Sequence, residues 1–266
     1  IVPAVAKLKA AGVPIRTGCF MEAVLRDADG RVKGVRIREG YVFGKPGSGK
    51  VRNICAKRAV ILACGGFGAD VRYRKTLDPK LGEAFLTTNQ PGATAEAWRE
   101  ASRIGARIIQ ADWIQCLPSC SPLEQGMGIA THFASISGSL FGFWLSTLSS
   151  SRFVNEFGDR KLCTDAILTV ITKGGQALAF SDDDDVKHLE TLRPGLFAKM
   201  LDAGTVEKFA DADALAKAYR MDPAKLRAAI AEYNDNLAKK SDPKFGRRFD
   251  KAAKPIGSGP YYVSRM

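Results

Sequence analysis

A run of five apolar residues at 59–63 leads directly into Cys64 and the pair Gly65-Gly66. An uninterrupted apolar run of this length is typical of a strand that is covered on both faces in a parallel α/β sheet. Glycines after such a strand let another backbone or a ligand approach closely, because they carry no side chain. The run therefore predicts a buried strand at the centre of an α/β domain.

Local patterns around this run predict short strands and helices. Strands are predicted at residues 21–26, 32–37, 40–43 and 51–54. The first two flank a turn that ends in Asp29-Gly30, which is a strong hairpin signal because glycine tolerates the left-handed conformation that such turns need. Apolar residues at helical spacing predict helices at 3–11 and 94–106. The first part of the chain is therefore predicted to be a meander of strands that leads into the buried strand.

A change of composition marks a domain boundary. Residues 115–128 are rich in Pro, Ser and Gly, so we place the boundary between an α/β part at 1–114 and an α+β part at 115–266. The second part is predicted to contain a strand at 141–145 and helices at 159–171, 212–219 and 223–239. Asp222 followed by Pro223 is a clean helix start, because Asp caps the helix and Pro suits its first position.

The charge of the chain does not point to nucleic acid. Its 40 Lys and Arg outnumber 28 Asp and Glu, which gives a net charge of +12. These basic residues are spread along the chain, and the densest group, at 239–248, lacks an aromatic platform on which bases could stack. We therefore predict no nucleic-acid partner.

Metal and membrane sites are not predicted either. The six cysteines include no CxxC pair, which is the spacing of common zinc sites. The acidic run at 182–185 lacks the Gly and the distal Glu of a calcium loop, and we interpret it as a turn. No apolar run approaches the roughly 20 residues that a membrane-spanning helix needs. The location stays open between cytoplasm and periplasm.

Several longer motifs occur in a recognisable order. They are AKRAVILACGGFG at 56–68, TTNQPGAT at 87–94, RFVNE at 152–156 with Arg160 downstream, DPKFGR at 242–247 and GPYY at 259–262. In this order they resemble the soluble fumarate reductase flavoprotein family, whose relatives include urocanate and methacrylate reductases and 3-ketosteroid dehydrogenases. The resemblance covers nearly the whole chain.

The resemblance implies an FAD-dependent oxidoreductase that reduces an activated C=C bond of an unsaturated carboxylate. Hydride would come from flavin N5, and electrons would come from a donor that the sequence does not identify. Residues 1–114 would be part of a Rossmann-like FAD-binding domain of the glutathione reductase type, and 115–266 the domain that caps the substrate. The family's GxGxxG loop and C-terminal Gly-rich segment do not occur in this chain. We therefore expect an internal piece of such an enzyme, which is inactive alone and binds FAD weakly or not at all.

The resemblance also implies particular site residues. Contacts with FAD are expected from Met21, Ala63, Cys64, Gly65, Gly66, Thr94 and Glu96. Arg160 corresponds to the family's proton-donating arginine, and Glu156, one helical turn earlier, is a candidate relay carboxylate. Leu117 stands where dicarboxylate reductases carry a His, and His132 is a candidate imidazole for the substrate side.

Each of these assignments has a plainer alternative. Arg160 could instead clamp a substrate carboxylate, and Arg160 and Glu156 could each form an ordinary salt bridge or cap. Met21 and Leu117 could be core residues, and His132 could be a packed or surface side chain.

Two other functions stay open. A 3-ketosteroid-type dehydrogenase would need a tyrosine acid/base pair, for which only Tyr261 and Tyr262 are candidates. A non-catalytic module with a decayed flavin site would be consistent with Ala95 and Ala97, which stand where the family usually has glycine.

Overall fold

The computed structural model describes residues 2–83, 85–126 and 128–266. The chain forms two compact units. The first comprises Ile1–Gly82 and Gln90–Trp113, and the second comprises Glu83–Asn89 and Ile114–Met266. Each unit is described by itself below.

The first unit is built around a three-stranded antiparallel sheet. Its elements are helix α1 (Val2–Ala10), strands β1 (Cys19–Arg26), β2 (Val32–Glu39) and β3 (Lys50–Cys55), and helices α2 (Val71–Leu77) and α3 (Glu96–Arg103). The strands follow one another in the order β1-β2-β3. The predicted hairpin is confirmed: Gly30 has a φ of +82°, and its N–H donates to the carbonyl of Asp27 at 3.0 Å.

The predicted central strand at 59–63 is wrong. These residues form no regular secondary structure, and the side chain of Ile61 is 87% exposed. A strand needs a neighbour that pairs with its backbone groups, and no strand in the described part of the chain pairs with this run. The run is therefore apolar, as the composition of a buried strand requires, but the described residues do not bury it.

Two other local predictions need correction. Residues 40–43 form a loop instead of a strand, because Gly40 and Gly44 adopt left-handed φ angles of +76° and +77° that interrupt an extended backbone. The helix expected at 94–106 is present as the shorter α3, and the chain leaves the helix at Gly105, whose φ is +89°.

The buried side chain of Glu100 links helix α3 to strand β1 of the sheet. The Glu100 carboxylate accepts a hydrogen bond from the backbone N–H of Val24 in β1 at 2.6 Å and pairs with Arg103 at 2.6 Å. The hydrogen bond from Arg103 is the main cause that lowers the pKa of Glu100. The carboxylate thereby satisfies a backbone donor of β1, which is an edge strand of the sheet.

The second unit has a five-stranded antiparallel sheet in the order β5-β4-β6-β8-β7. The strands are β4 (Gly142–Ser146), β5 (Ser151–Arg152), β6 (Ala177–Ser181), β7 (Glu207–Phe209) and β8 (Tyr261–Arg265). The helices are α4 (Ala130–Ile136), α5 (Arg160–Thr172), α6 (Asp183–Leu192), α7 (Leu196–Asp202), α8 (Ala212–Ala218) and α9 (Pro223–Lys239). The elements predicted at 141–145, 159–171, 212–219 and 223–239 are confirmed. None of the described helices is long and apolar enough to cross a bilayer.

This sheet is covered on both faces. Successive side chains of a strand point to opposite faces, so Phe143 of β4 packs with α8 and α9, whereas its neighbour Trp144 packs with α4 to α7. Residues Leu178 and Phe180 of β6 join the first core, and Ala177 and Ala179 join the second. Burial on both faces explains why β4 and β6 are almost entirely apolar.

The acidic run at 182–185 begins α6, so its interpretation as a turn is wrong. The Asp182 carboxylate caps the helix by accepting a hydrogen bond from the N–H of Asp184 at 3.0 Å. Acidic residues in a first turn also complement the positive end of the helix dipole. Asp185 differs from the others because it is fully buried, and neither of its carboxylate oxygens has a hydrogen-bond partner among the described residues.

We expect Asp185→Asn to stabilise the protein increasingly as the pH rises. Burial raises the pKa of the Asp185 carboxyl well above its ordinary 3.8; the nearby Ser181 hydroxyl opposes this rise and the Asp182 carboxylate adds to it. The unfolded chain therefore loses this proton at a lower pH than the folded chain. The contribution of the protonated Asp185 carboxyl to the free energy of unfolding is fully present below pH 3.8. This contribution is lost as the pH rises towards the pKa of Asp185 in the folded protein.

Thermal unfolding from pH 4 upward checks this prediction. Each tenfold difference between the folded and unfolded ionisation constants is worth about 1.4 kcal/mol. Asp184→Asn is the matched control, because Asp184 is adjacent, partly exposed and paired with Lys254 at 3.4 Å. If the stability of Asp185→Asn relative to the parent does not change with pH, the buried carboxyl is ionised in the folded protein.

Candidate functional site

A groove in the first unit is lined by two of the predicted FAD residues, Cys64 and Gly65. It has a volume of about 320 Å³, and its walls include Leu62, Cys64 and Gly65 on one side and Ala97 and Trp98 of α3 on the other. The structure therefore brings the segment after the apolar run beside the helix that follows Thr94.

The Gly65-Gly66 turn has room for a ligand. Gly65 adopts a left-handed φ of +78°, and a Cβ built on either glycine meets no other atom within 4 Å. Both glycines are exposed, as are Ala63 and Cys64. The turn is thus an open cradle in which a cofactor could approach the backbone, and these residues fit FAD.

The start of α3 is tied to the same region. The hydroxyl of Thr94 forms a hydrogen bond with the Glu96 carboxylate, so the longer arm of Glu96 folds back onto Thr94. The N–H of Ala95 donates to the Asp70 carboxylate at 3.3 Å, which pairs with Arg99 at 2.8 Å. These contacts hold Thr94 and Glu96 in place at the first turn of α3.

Met21 lies apart from this groove. It is half-buried in β1, opposite Ile37 of β2, and it does not line the groove. Its expected contact with the adenine stays a prediction.

Arg160 in the second unit occupies a position that does not favour a cation. It is the first residue of α5, where the helix dipole disfavours positive charge. Its exposed guanidinium donates from Nη1 to Oε1 of Gln115 at 3.1 Å, and within the described ranges it forms no ion pair. Arg160 is therefore an exposed cation that can bind an anionic group.

Glu156 lies inside a buried cluster of ion pairs. The side chains of Glu156, Arg152, Asp242 and Arg247 are each at most 3% exposed. Glu156 accepts hydrogen bonds from Nε and Nη2 of Arg152 at 3.0 and 2.8 Å and from the N–H of Trp144 at 3.0 Å. Its Oε2 lies 3.2 Å from Nη1 of Arg247, and Arg152 reaches Asp242 at 2.9 Å.

The cluster joins distant segments of the chain. Arg247 also donates to the carbonyl of Gly142 at 2.8 Å, and its guanidinium lies over the ring of Tyr233 at 5.1 Å. Each partner recorded for Glu156 belongs to this cluster or to the backbone of β4, and Arg160 is not among them. These contacts favour the alternative of a structural salt bridge for Glu156, while the proton relay stays a prediction.

The two predicted substrate residues lie in the loop before α4 and in α4 itself. Leu117 and His132 are both half-buried. Burial, with a smaller contribution from the positive charge of Arg193, lowers the pKa of His132, so its imidazole is neutral at pH 7. No contact recorded for the described residues joins either side chain to Arg160, and their roles stay predictions.

Sequence reasoning did not single out three residues that the structure connects to these sites. Gln115 lies 45 residues before Arg160, so no local spacing links the two. Arg247 is part of the DPKFGR motif, but its burial depends on packing that no motif states. Trp98 lies on α3, where its spacing suggested only an apolar helix face.

The class of protein follows from a comparison with protein families. The family model described as "FAD binding domain" matches residues 1–266. The chain belongs to this family of FAD-binding proteins, and FAD is the cofactor of the intact protein.

Individual relatives make the class more specific. The chain is 35% identical to the acrylate reductase flavoprotein subunit of Shewanella woodyi over 268 residues, which are 99% of this chain and 52% of that protein. The open conformation of a flavocytochrome c3 fumarate reductase matches 98% of this chain and 42% of its own length, with a TM-score of 0.64 and 22% identity. The 3-ketosteroid delta1-dehydrogenase of Sterolibacterium denitrificans matches 97% of this chain and 49% of its own, with a TM-score of 0.71 and 23% identity.

These matches confirm the predicted family and the mixed helix-and-sheet fold. The chain spans about half the length of the relatives it matches. The two solved structures are similar in fold.

Proposed function

We propose that the intact protein is an FAD-dependent reductase of the C=C bond of a small unsaturated carboxylate. The first unit would be part of the FAD-binding domain, and the second would be the domain that caps the substrate. The observation that carries the proposal is Arg160, an exposed guanidinium at the start of α5 whose partner in the described part of the chain is the neutral side chain of Gln115. The similarity to an acrylate reductase flavoprotein subunit supports it.

Arg160 can serve such a reaction in two ways. Its planar guanidinium matches the two oxygens of a carboxylate, and a positive charge stabilises the enolate-like charge that develops during reduction. A guanidinium is normally never deprotonated, so a role as proton donor requires rapid reprotonation. Bound FAD supplies the hydride. Gln115 keeps the Arg160 side chain in one orientation through its hydrogen bond.

The proposed substrate class is a monocarboxylate. Leu117 has no group that could bind a second carboxylate, and it stands at the position where the resemblance places a His in dicarboxylate reductases. The imidazole of His132, neutral at pH 7 because its pKa is lowered, offers no positive charge to replace that His. Acrylate is the simplest substrate that has one carboxylate next to a C=C bond.

The alternative of a 3-ketosteroid-type dehydrogenase is less well supported. Tyr261 and Tyr262 are neighbours in β8 and belong to the cores on opposite faces of the sheet. The Tyr261 hydroxyl donates to the carbonyl of Gly257 at 2.9 Å, and the Tyr262 hydroxyl donates to Asp183 at 2.8 Å. Burial, followed by the hydrogen bond to Asp183, raises the pKa of Tyr262 to about 12. Two hydroxyls on opposite faces cannot act as a pair on one substrate.

A decayed flavin site is also less well supported. Ala95 has a φ of −88°, a conformation that residues with a side chain adopt readily. It is fully buried, so its methyl group packs in the unit and does not project into the groove. Alanine in place of glycine at position 95 therefore does not distort this segment, whereas Ala97 lines the groove.

We expect the full-length protein, supplied with electrons by an artificial donor, to reduce acrylate with a kcat/KM at least about tenfold above that for fumarate, because a second carboxylate would lie unpaired near Leu117. Steady-state assays with the two substrates check this. Faster turnover of fumarate would contradict the monocarboxylate assignment, and turnover of no small unsaturated carboxylate would contradict the proposed function.

A further inference from the structure

Trp98 connects the two segments from which FAD contacts are expected. It lies in α3, two residues after Glu96, and its indole N–H donates to the carbonyl of Gly65 at 3.1 Å. Its ring packs edge-on against Phe67, with the ring centroids 5.0 Å apart. Trp98 and Gly65 both line the groove of the first unit.

The hydrogen bond matters because few other contacts within the described ranges hold the Gly65-Gly66 turn. Glycine loses more conformational entropy on ordering than any other residue, and both glycines are exposed with no atom near the position of a Cβ. Besides Trp98, the Gly65 carbonyl has a distant contact with the Cys64 thiol at 3.9 Å. A turn that is ordered before a ligand arrives binds that ligand at a lower entropic cost.

We propose that Trp98 is a positioning residue for FAD. Its N–H fixes the Gly65 carbonyl and so pre-arranges the backbone of the Gly65-Gly66 turn for the cofactor. The indole acts through the turn and needs no contact with FAD. The inference depends on FAD as the cofactor, and it does not depend on which substrate the enzyme reduces.

The test compares FAD affinity in full-length variants. Trp98→Phe keeps an aromatic ring against Phe67 but removes the N–H, and we expect FAD to bind about tenfold more weakly, the loss of one hydrogen bond. Trp113→Phe is the matched control, because Trp113 lies in the same unit and its side chain is 76% exposed.

A second variant separates the hydrogen bond from packing. Incorporation of β-(3-benzothienyl)alanine at position 98 keeps the shape of the ring and replaces the N–H by sulfur. A similar loss of FAD affinity in this variant, with an apoprotein melting temperature equal to that of the parent, supports the proposal. FAD binding as tight as in Trp113→Phe, for either variant at position 98, would overturn it. FAD affinity is measured without substrate, so failure of the proposed reaction would leave this result interpretable.

Discussion

Arg160→Lys in the full-length protein is expected to slow reduction of the unsaturated carboxylate by about 100-fold or more. Lysine keeps the positive charge, but it loses the planar fork that can bind a carboxylate through two hydrogen bonds. It also loses the hydrogen-bond geometry that orients Arg160 on Gln115 at 3.1 Å. Steady-state kinetics with acrylate measure the effect.

The control lies one residue along the same helix. Lys161 is 70% exposed and pairs with Asp165 at 2.8 Å, so Lys161→Gln is expected to leave turnover unchanged. FAD affinity should survive in both variants. If Arg160→Lys turns over substrate within a few-fold of the parent, Arg160 is an ordinary structural arginine.

Glu156→Gln is expected to destabilise the second unit by about 3–5 kcal/mol, because it leaves two buried guanidinium groups without the carboxylate that joins them. Arg152 and Arg247 are 3% and 0% exposed, so water cannot replace the lost charge. Nε and Nη2 of Arg247 already lack hydrogen-bond partners in the described part of the chain. Urea or thermal unfolding of the variant measures the loss.

An exposed ion pair provides the comparison. Arg227 and Asp213 approach to 2.6 Å, but their side chains are 52% and 70% exposed. Pairs of this kind contribute about 0–1 kcal/mol, so Arg227→Gln should have little effect. Equal losses in Glu156→Gln and Arg227→Gln would mean that the buried cluster does not stabilise the fold. A large loss of activity in Glu156→Gln with no loss of stability would instead favour the proton relay.

Local signals in the sequence predicted local structure well. The Asp222-Pro223 start of α9, the Asp29-Gly30 hairpin and the start of α5 all depend on residues within one turn of each other. Such signals act through backbone geometry and capping, which a short stretch of sequence determines. Local patterns could not predict FAD as the cofactor. That prediction came from the family resemblance.

Features that depend on distant partners could not be predicted in this way. The run at 59–63 has the composition of a buried strand, but burial depends on neighbouring strands that its own sequence does not specify. Glu156 was recognised by its place in RFVNE, whereas its partner Arg247 comes from the far end of the unit. The pairing of Arg160 with Gln115 and of Trp98 with Gly65 likewise requires the folded chain.

The most direct test of the proposed function follows the flavin of the full-length protein in a single turnover. The bound flavin is reduced without oxygen, acrylate is added, and the visible flavin absorbance is recorded over time. We predict that acrylate restores the oxidised spectrum rapidly in the parent and about 100-fold or more slowly in Arg160→Lys. A parent protein whose reduced flavin is not reoxidised by acrylate or any other small unsaturated carboxylate would contradict the account.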